Sequence, residues 1–247
     1  GIISFEVVSG KLISLIEKEG GYSFPIALIT ANEMSNKKSI INKTEFKRNE
    51  LTNAIDLKNE LTFEDFNKVF KLQKIYSSEN TEDMKLRDQY VKKELPKKLE
   101  SFLHKGGYKN YKVQGSGGVG RKAAVPWVRI YREEFSKSAQ EGYYLVYLFD
   151  ATGEKAYLSL NHASTNRETF TSINDEEAVK YVNDARELIK PLSDDIIDGQ
   201  NKNNIELNDK INFVWDIDLA SKLSTPKAYE KTHIFGYEIN KSHEYMS

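Results

Sequence analysis

Residues 113–130, Val-Gln-Gly-Ser-Gly-Gly-Val-Gly-Arg-Lys-Ala-Ala-Val-Pro-Trp-Val-Arg-Ile, bring together the residue types that handle phosphate and nucleobase. Glycines let a backbone come close to a ligand, and cations beside them favour phosphate. Arg121 and Lys122 supply the cations, and Trp127 offers a face on which a base can stack. The stretch therefore reads as a surface that meets nucleotide or nucleic acid.

Three nucleotide-binding readings of the glycines are tested by what surrounds them. Gly115, Gly117 and Gly120 satisfy G-x-G-x-x-G, but the dinucleotide motif needs a helix straight after the loop to face the pyrophosphate. Pro126 follows too soon, and Val125–Tyr131 alternates like a strand. A Walker A loop would need Lys where Arg121 stands and Ser or Thr where Ala123 stands. A kinase-type glycine loop would require H-R-D and D-F-G sequences, and neither occurs. A plain glycine-rich hairpin loop remains open beside the nucleic-acid reading.

Charge favours the latter. Lys85–Arg132 holds thirteen Lys and Arg against Asp88, Glu94 and Glu100, a net of +10. Glu168–Asp218 carries a net of −8, within a chain whose overall charge is −1. A basic block beside a glycine loop is the footprint of phosphate-backbone binding, and a solvated Lys-rich helix face is the bland alternative. The 247 residues contain no Cys, which excludes thiolate catalysis, disulfides and Cys-ligated zinc. No apolar run reaches the roughly 20 residues that span a bilayer. No signal-like segment opens the chain, and the expected location is cytoplasmic. The first residue is not Met, so a piece of a longer protein is expected.

These residues need a scaffold, and the pattern supplies one. Thr62-Phe-Glu-Asp65 resembles a capping box ahead of a helix through Phe66, Val69, Phe70 and Leu72. A linker is expected at Ser77–Thr81. Helical runs follow from Glu82 to Glu94 and from Pro96 to Gly106-Gly107. Residues 111–161 read as a meander of three or four antiparallel strands, with a turn at Asp150–Gly153. A helix is expected over Glu176–Lys190, a polar loop over Gly199–Asn204, and a closing segment over Pro226–Ile239. The expected fold class is α+β: an antiparallel strand meander flanked by helices, with an additional N-terminal α/β segment. The expected division is an N-terminal segment, 1–80, of no assigned role, and a DNA-binding domain, 81–247.

Leu95-Pro96, the Tyr111–Trp127 block, Gly142–Phe149, Tyr157-Leu-Ser-Leu-Asn161 and Ala228-Tyr229-Glu230 together resemble the N-terminal DNA-binding domain of McrB. McrB belongs to the McrBC-type modification-dependent restriction endonucleases. The resemblance spans roughly residues 85–240. It implies binding of double-stranded, modified DNA, with a methylated cytosine taken out of the stack into an aromatic and apolar pocket. The pocket positions it implies are Trp127, Leu148 and Tyr229, with Tyr144 on the same strand as Leu148. Val119 stands where the family carries an aromatic; it can touch a methyl group but cannot stack. Backbone contacts are expected from Lys112, Ser116, Arg121, Lys122, Arg129, Ser159 and Asn161.

The sequence contains no catalytic motif. Asp150, Glu154 and Lys155 have nuclease-like types, but turn chemistry explains them better. The four His residues lack tight metal spacing. No cofactor and no metal are expected, and a nuclease or GTPase domain or subunit would lie outside the chain. Three alternatives stay open: sequence-specific DNA binding without base flipping, a protein-interaction domain docking a nuclease subunit, and a nucleotide-binding enzyme using the 115–120 loop.

Overall fold

The computed structural model describes residues 61–105, 108–165, 169, 171–202 and 211–240. The expected N-terminal α/β segment up to residue 60 and the Gly106-Gly107 helix stop lie outside these residues. Helix α1 (Phe63–Lys74) opens with the capping box: Asp65 accepts from the Thr62 backbone N–H at 2.9 Å and from its hydroxyl at 3.2 Å. Helix α2 (Glu82–Gln89) starts at Thr81, whose hydroxyl accepts from the Met84 backbone N–H. It continues into a π-helical turn, Tyr90–Glu94, and then α3 (Leu95–Lys105).

Six strands follow the meander and extend it: β1 (Lys112–Ser116), β2 (Trp127–Tyr131), β3 (Tyr143–Phe149), β4 (Lys155–His162), β5 (Ile211–Val214) and β6 (His233–Asn240). The sheet order is β1-β2-β3-β4-β6-β5, antiparallel throughout. Helix α4 (Asp175–Lys202) lies between β4 and β5, and short α5 (Ser224–Lys231) leads into β6. The expected helix ends at Lys190, yet α4 runs through Pro191 to Lys202 and replaces the start of the expected polar loop. A proline removes one helical hydrogen bond, and a long helix can survive that loss.

Strand alternation divides the molecule into two faces. Val128, Ile130, Tyr143, Leu145, Tyr147, Phe149, Leu158 and Leu160 pack with Phe66, Phe70, Val91, Leu95, Leu99 and Val182 from the helices. Phe66 meets the Tyr147 ring edge-on at 5.1 Å, and Phe70 meets Phe149 at 5.7 Å. The first helix, placed N-terminal to the expected linker, thus shares a core with the strands that follow it. The opposite face carries a second cluster: Tyr144, Val146, Leu148 and Tyr157, with Trp127, Tyr131 and Tyr229 against it. Among the described residues, no helix is long and apolar enough to cross a membrane.

Candidate nucleic-acid interface

The second face is built in rows by the strand register. One row runs Ser116, Trp127, Leu148, Tyr157, Glu238; the next runs Gln114, Arg129, Val146, Ser159, Gly236. In a third, Lys112 stands opposite Tyr131, and Tyr144 opposite Asn161. The alternation of β1 to β4 therefore gathers nine of the twelve residues singled out from the sequence: eight strand residues and Tyr229, which α5 adds. Trp127, Tyr144, Leu148 and Tyr229 belong to one packed cluster. Tyr144 and Leu148 are buried, whereas Trp127 and Tyr229 are half-buried. Burial raises the pKa of the Tyr229 hydroxyl, and the neighbouring Trp127 side chain opposes the rise.

Arg129 stands among these rings, 2% exposed. Its Nε donates to Gln114 Oε1 at 2.8 Å, and a terminal nitrogen donates to Ser136 Oγ at 3.0 Å. The guanidinium lies 3.8 Å from the Tyr131 ring centroid and 5.6 Å from that of Tyr144. Among the described residues no carboxylate pairs with it. Burial lowers its pKa, opposed by Tyr131 and Tyr144. The sequence marked Arg129 but not the Tyr131 and Gln114 that hold it. Period-two spacing in Trp127-Val-Arg-Ile-Tyr131 is the signal that could have shown Tyr131.

The glycine loop stands on a polar foundation. Arg87 is fully buried and donates to Gln73 Oε1 (2.7 Å), Ala123 O (2.9 Å) and Gly117 O (3.1 Å). Gln73 Nε2 donates to Ala124 O, the Tyr76 hydroxyl to Lys122 O, and Lys92 to Gly118 O. Gly118 at φ 105° and Gly120 at φ 77° turn the tip through a conformation that favours glycine. Gly115 allows a second close approach: an added Cβ would stand 1.8 Å from the Val91 carbonyl oxygen in the π-helical turn. A strand rather than a helix follows the loop, so the dinucleotide reading fails.

Several expected contacts are placed differently. Val119 is 97% exposed at the loop tip, outside the packed cluster. Lys122, expected on phosphate, turns beneath the loop and pairs with Asp88 at 2.7 Å, where Asp88 also faces Arg87 and Lys92. Ser159 is fully buried against His233 Nδ1 at 2.6 Å. Asn161 is 1% exposed and donates through Nδ2 to the Tyr229 carbonyl oxygen at 3.3 Å. Neither is exposed to meet a phosphate from solvent. Lys112 is exposed and pairs with Glu133 at 2.6 Å. Ser116 Oγ accepts from the Gly118 backbone N–H. Arg121 is exposed and has no partner among the described residues.

The other chemistry considered from sequence resolves into structure. Asp150 Oδ1 accepts from the backbone N–H groups of Gly153, Glu154 and Lys155, which is a turn motif. Glu154 pairs with Lys74 and Lys155 with Glu238. His162 stacks on Tyr181 at 4.0 Å, and burial lowers its pKa.

Comparison with curated proteins and with solved structures gives no significant match. Comparison with protein families gives one: residues 71–244 match the family described as MrcB-like, N-terminal domain. That span takes in every described strand but only the last turn of α1. With the glycine loop, the aromatic sheet face and this match together, the chain belongs to the MrcB-like N-terminal domain family, a DNA-binding module of restriction systems.

Proposed function

We propose that this domain reads a methylated base in duplex DNA by drawing it out of the stack and onto the face that carries Trp127, Tyr144, Leu148 and Tyr229. The observation that carries this reading is the convergence of those four residues, from β2, β3 and α5, into one cluster opposite the helix-covered face. An extruded base loses its stacking, worth a few kcal/mol, and aromatic faces replace it. Leu148 offers an apolar contact for a methyl group.

Phosphates are met at the rim. Arg121 at the loop tip and Lys112 on β1 are the exposed cations of this group, and Lys112 would exchange Glu133 for phosphate. Arg129, 2% exposed and without a carboxylate partner among the described residues, would lend positive potential from beneath the sheet face rather than touch a phosphate. Lys93 and Lys97, exposed on the helical side of β1, extend the positive edge. Val119 would touch the duplex from the loop tip rather than wall the pocket. A nuclease or GTPase domain or subunit outside this chain, in the cytoplasm, would act on the site once read.

Competition binding at fixed salt tests the proposal with one duplex in three forms: unmodified, with methylated cytosine, and with methylated adenine. Preference for methylated cytosine by tenfold or more is expected. Leu148→Ala should bring that preference towards unity, with the ratio of affinities as readout. Equal, salt-sensitive binding to all three forms would mean duplex binding without base extrusion.

A further inference from the structure

Asn161 carries an unanswered hydrogen-bonding group inside the candidate site. Its Oδ1 is buried and has no partner among the described residues, although the side chain sits in a well-packed region. The amide orientation is not arbitrary. Nδ2 faces the Tyr229 main-chain carbonyl, which can only accept, so a flipped amide would set two oxygens against each other. Oδ1 is thereby committed to another direction. In the register Asn161 stands opposite Tyr144, and its other tie is to Tyr229, so two of the four cluster residues flank it. Buried acceptors are nearly always satisfied, and an orphan at a candidate site points to a donor brought by a ligand.

Resting on the base-extrusion reading above, we propose that Asn161 Oδ1 is the specificity determinant for an exocyclic amino group on the extruded base, accepting the N4–H of methylated cytosine. A phosphate cannot fill this role, since it has no proton to donate. Thymine cannot either: it keeps the 5-methyl group but presents a carbonyl at position 4, and two acceptors would be left facing each other. Leu148 and Asn161 then divide the recognition. The first tests for the methyl group, and the second tests for the amine.

The test uses the full chain and varies the base as well as the protein. Four duplexes differ at one position, opposite guanine: 5-methylcytosine, cytosine, thymine, and 5-methylpyrimidin-2-one, which lacks the amine. Thymine and the pyrimidinone pair poorly with guanine and are easier to extrude, so pairing alone predicts that they bind tighter than 5-methylcytosine. The proposal expects the reverse, a loss of tenfold or more for both. In Asn161→Leu that loss should shrink to about threefold or less, while the preference for 5-methylcytosine over cytosine persists. Equal or tighter binding of the two amine-free bases by the wild-type chain, with methyl preference intact, overturns this proposal alone. Equal binding of 5-methylcytosine and cytosine overturns the base-extrusion reading and this proposal with it. The wild-type comparison decides the matter even if Asn161→Leu does not fold.

Discussion

Arg121 and Lys122 are neighbours in sequence, yet among the described residues only Arg121 faces solvent without a side-chain partner. Arg121→Ala should weaken binding to modified and unmodified duplexes alike and reduce the slope of log affinity against log salt by about 1. Lys122→Met should leave that slope unchanged and lower unfolding free energy by about 1–2 kcal/mol in urea titrations, since Asp88 retains Arg87 and Lys92. Sequence could not separate the two, because both are cations of the same loop and only the fold sets one of them against Asp88. His233 is a second case decided by surroundings. Burial, with Arg186 nearby, pushes its pKa down to about 3, so it is neutral in the fold. The unfolded chain takes up this proton below about pH 6.5, and the folded one does not until about pH 3. Acidification in that window therefore favours unfolding. Between pH 7 and pH 5, His233 should remove roughly 2 kcal/mol of stability. His162, also shifted down by burial, acts in the same direction. Urea unfolding at the two pH values checks this, and His233→Gln should shrink the difference.

At the scale of elements, the strands were the most legible part of the chain. Aromatic and β-branched alternation placed β1 to β4, and Thr62-x-x-Asp65 placed the start of α1. The π-helical turn was not legible. Nothing in Tyr-Val-Lys-Lys-Glu distinguishes it from an α-helical turn, and the close approach of the Val91 carbonyl to Gly115 across the chain is equally invisible there. That contact makes a prediction. Gly115→Ala drives a methyl group into the Val91 carbonyl and should cost about 2 kcal/mol or more, read as a lowered urea midpoint. Gly120→Ala meets no atom within 4 Å, so only its positive φ penalises it, by about 1 kcal/mol. The site was legible in composition but not in depth. Alternation set Trp127, Arg129 and Tyr131 on one face, while the burial of Ser159 and Asn161 depends on α5 and β6, far along the chain.

Taken as a whole, the sheet serves two environments with one set of strands. Its helix-covered face holds the larger core, and its other face holds the candidate site. Phe66→Ala should therefore cost about 3–5 kcal/mol of stability, and well below the lowered melting temperature it should leave the ratio of affinities for modified and unmodified DNA intact. The acidic α4 packs through Val182 and Ala185 on the helix side, away from the rings of the site. This separation has a counterpart at the glycine loop. The foundation made by Gln73, Arg87, Asp88 and Lys122 fixes where the tip stands, and Val119 at that tip is almost wholly in solvent. Folding places hardly any demand on the side chain at position 119. Substitutions there are nearly free of a stability penalty, so inheritance can explore them quickly while the scaffold stays constant. Position 119 is where this domain could acquire a new preference in one mutational step, and where a designer would randomise first.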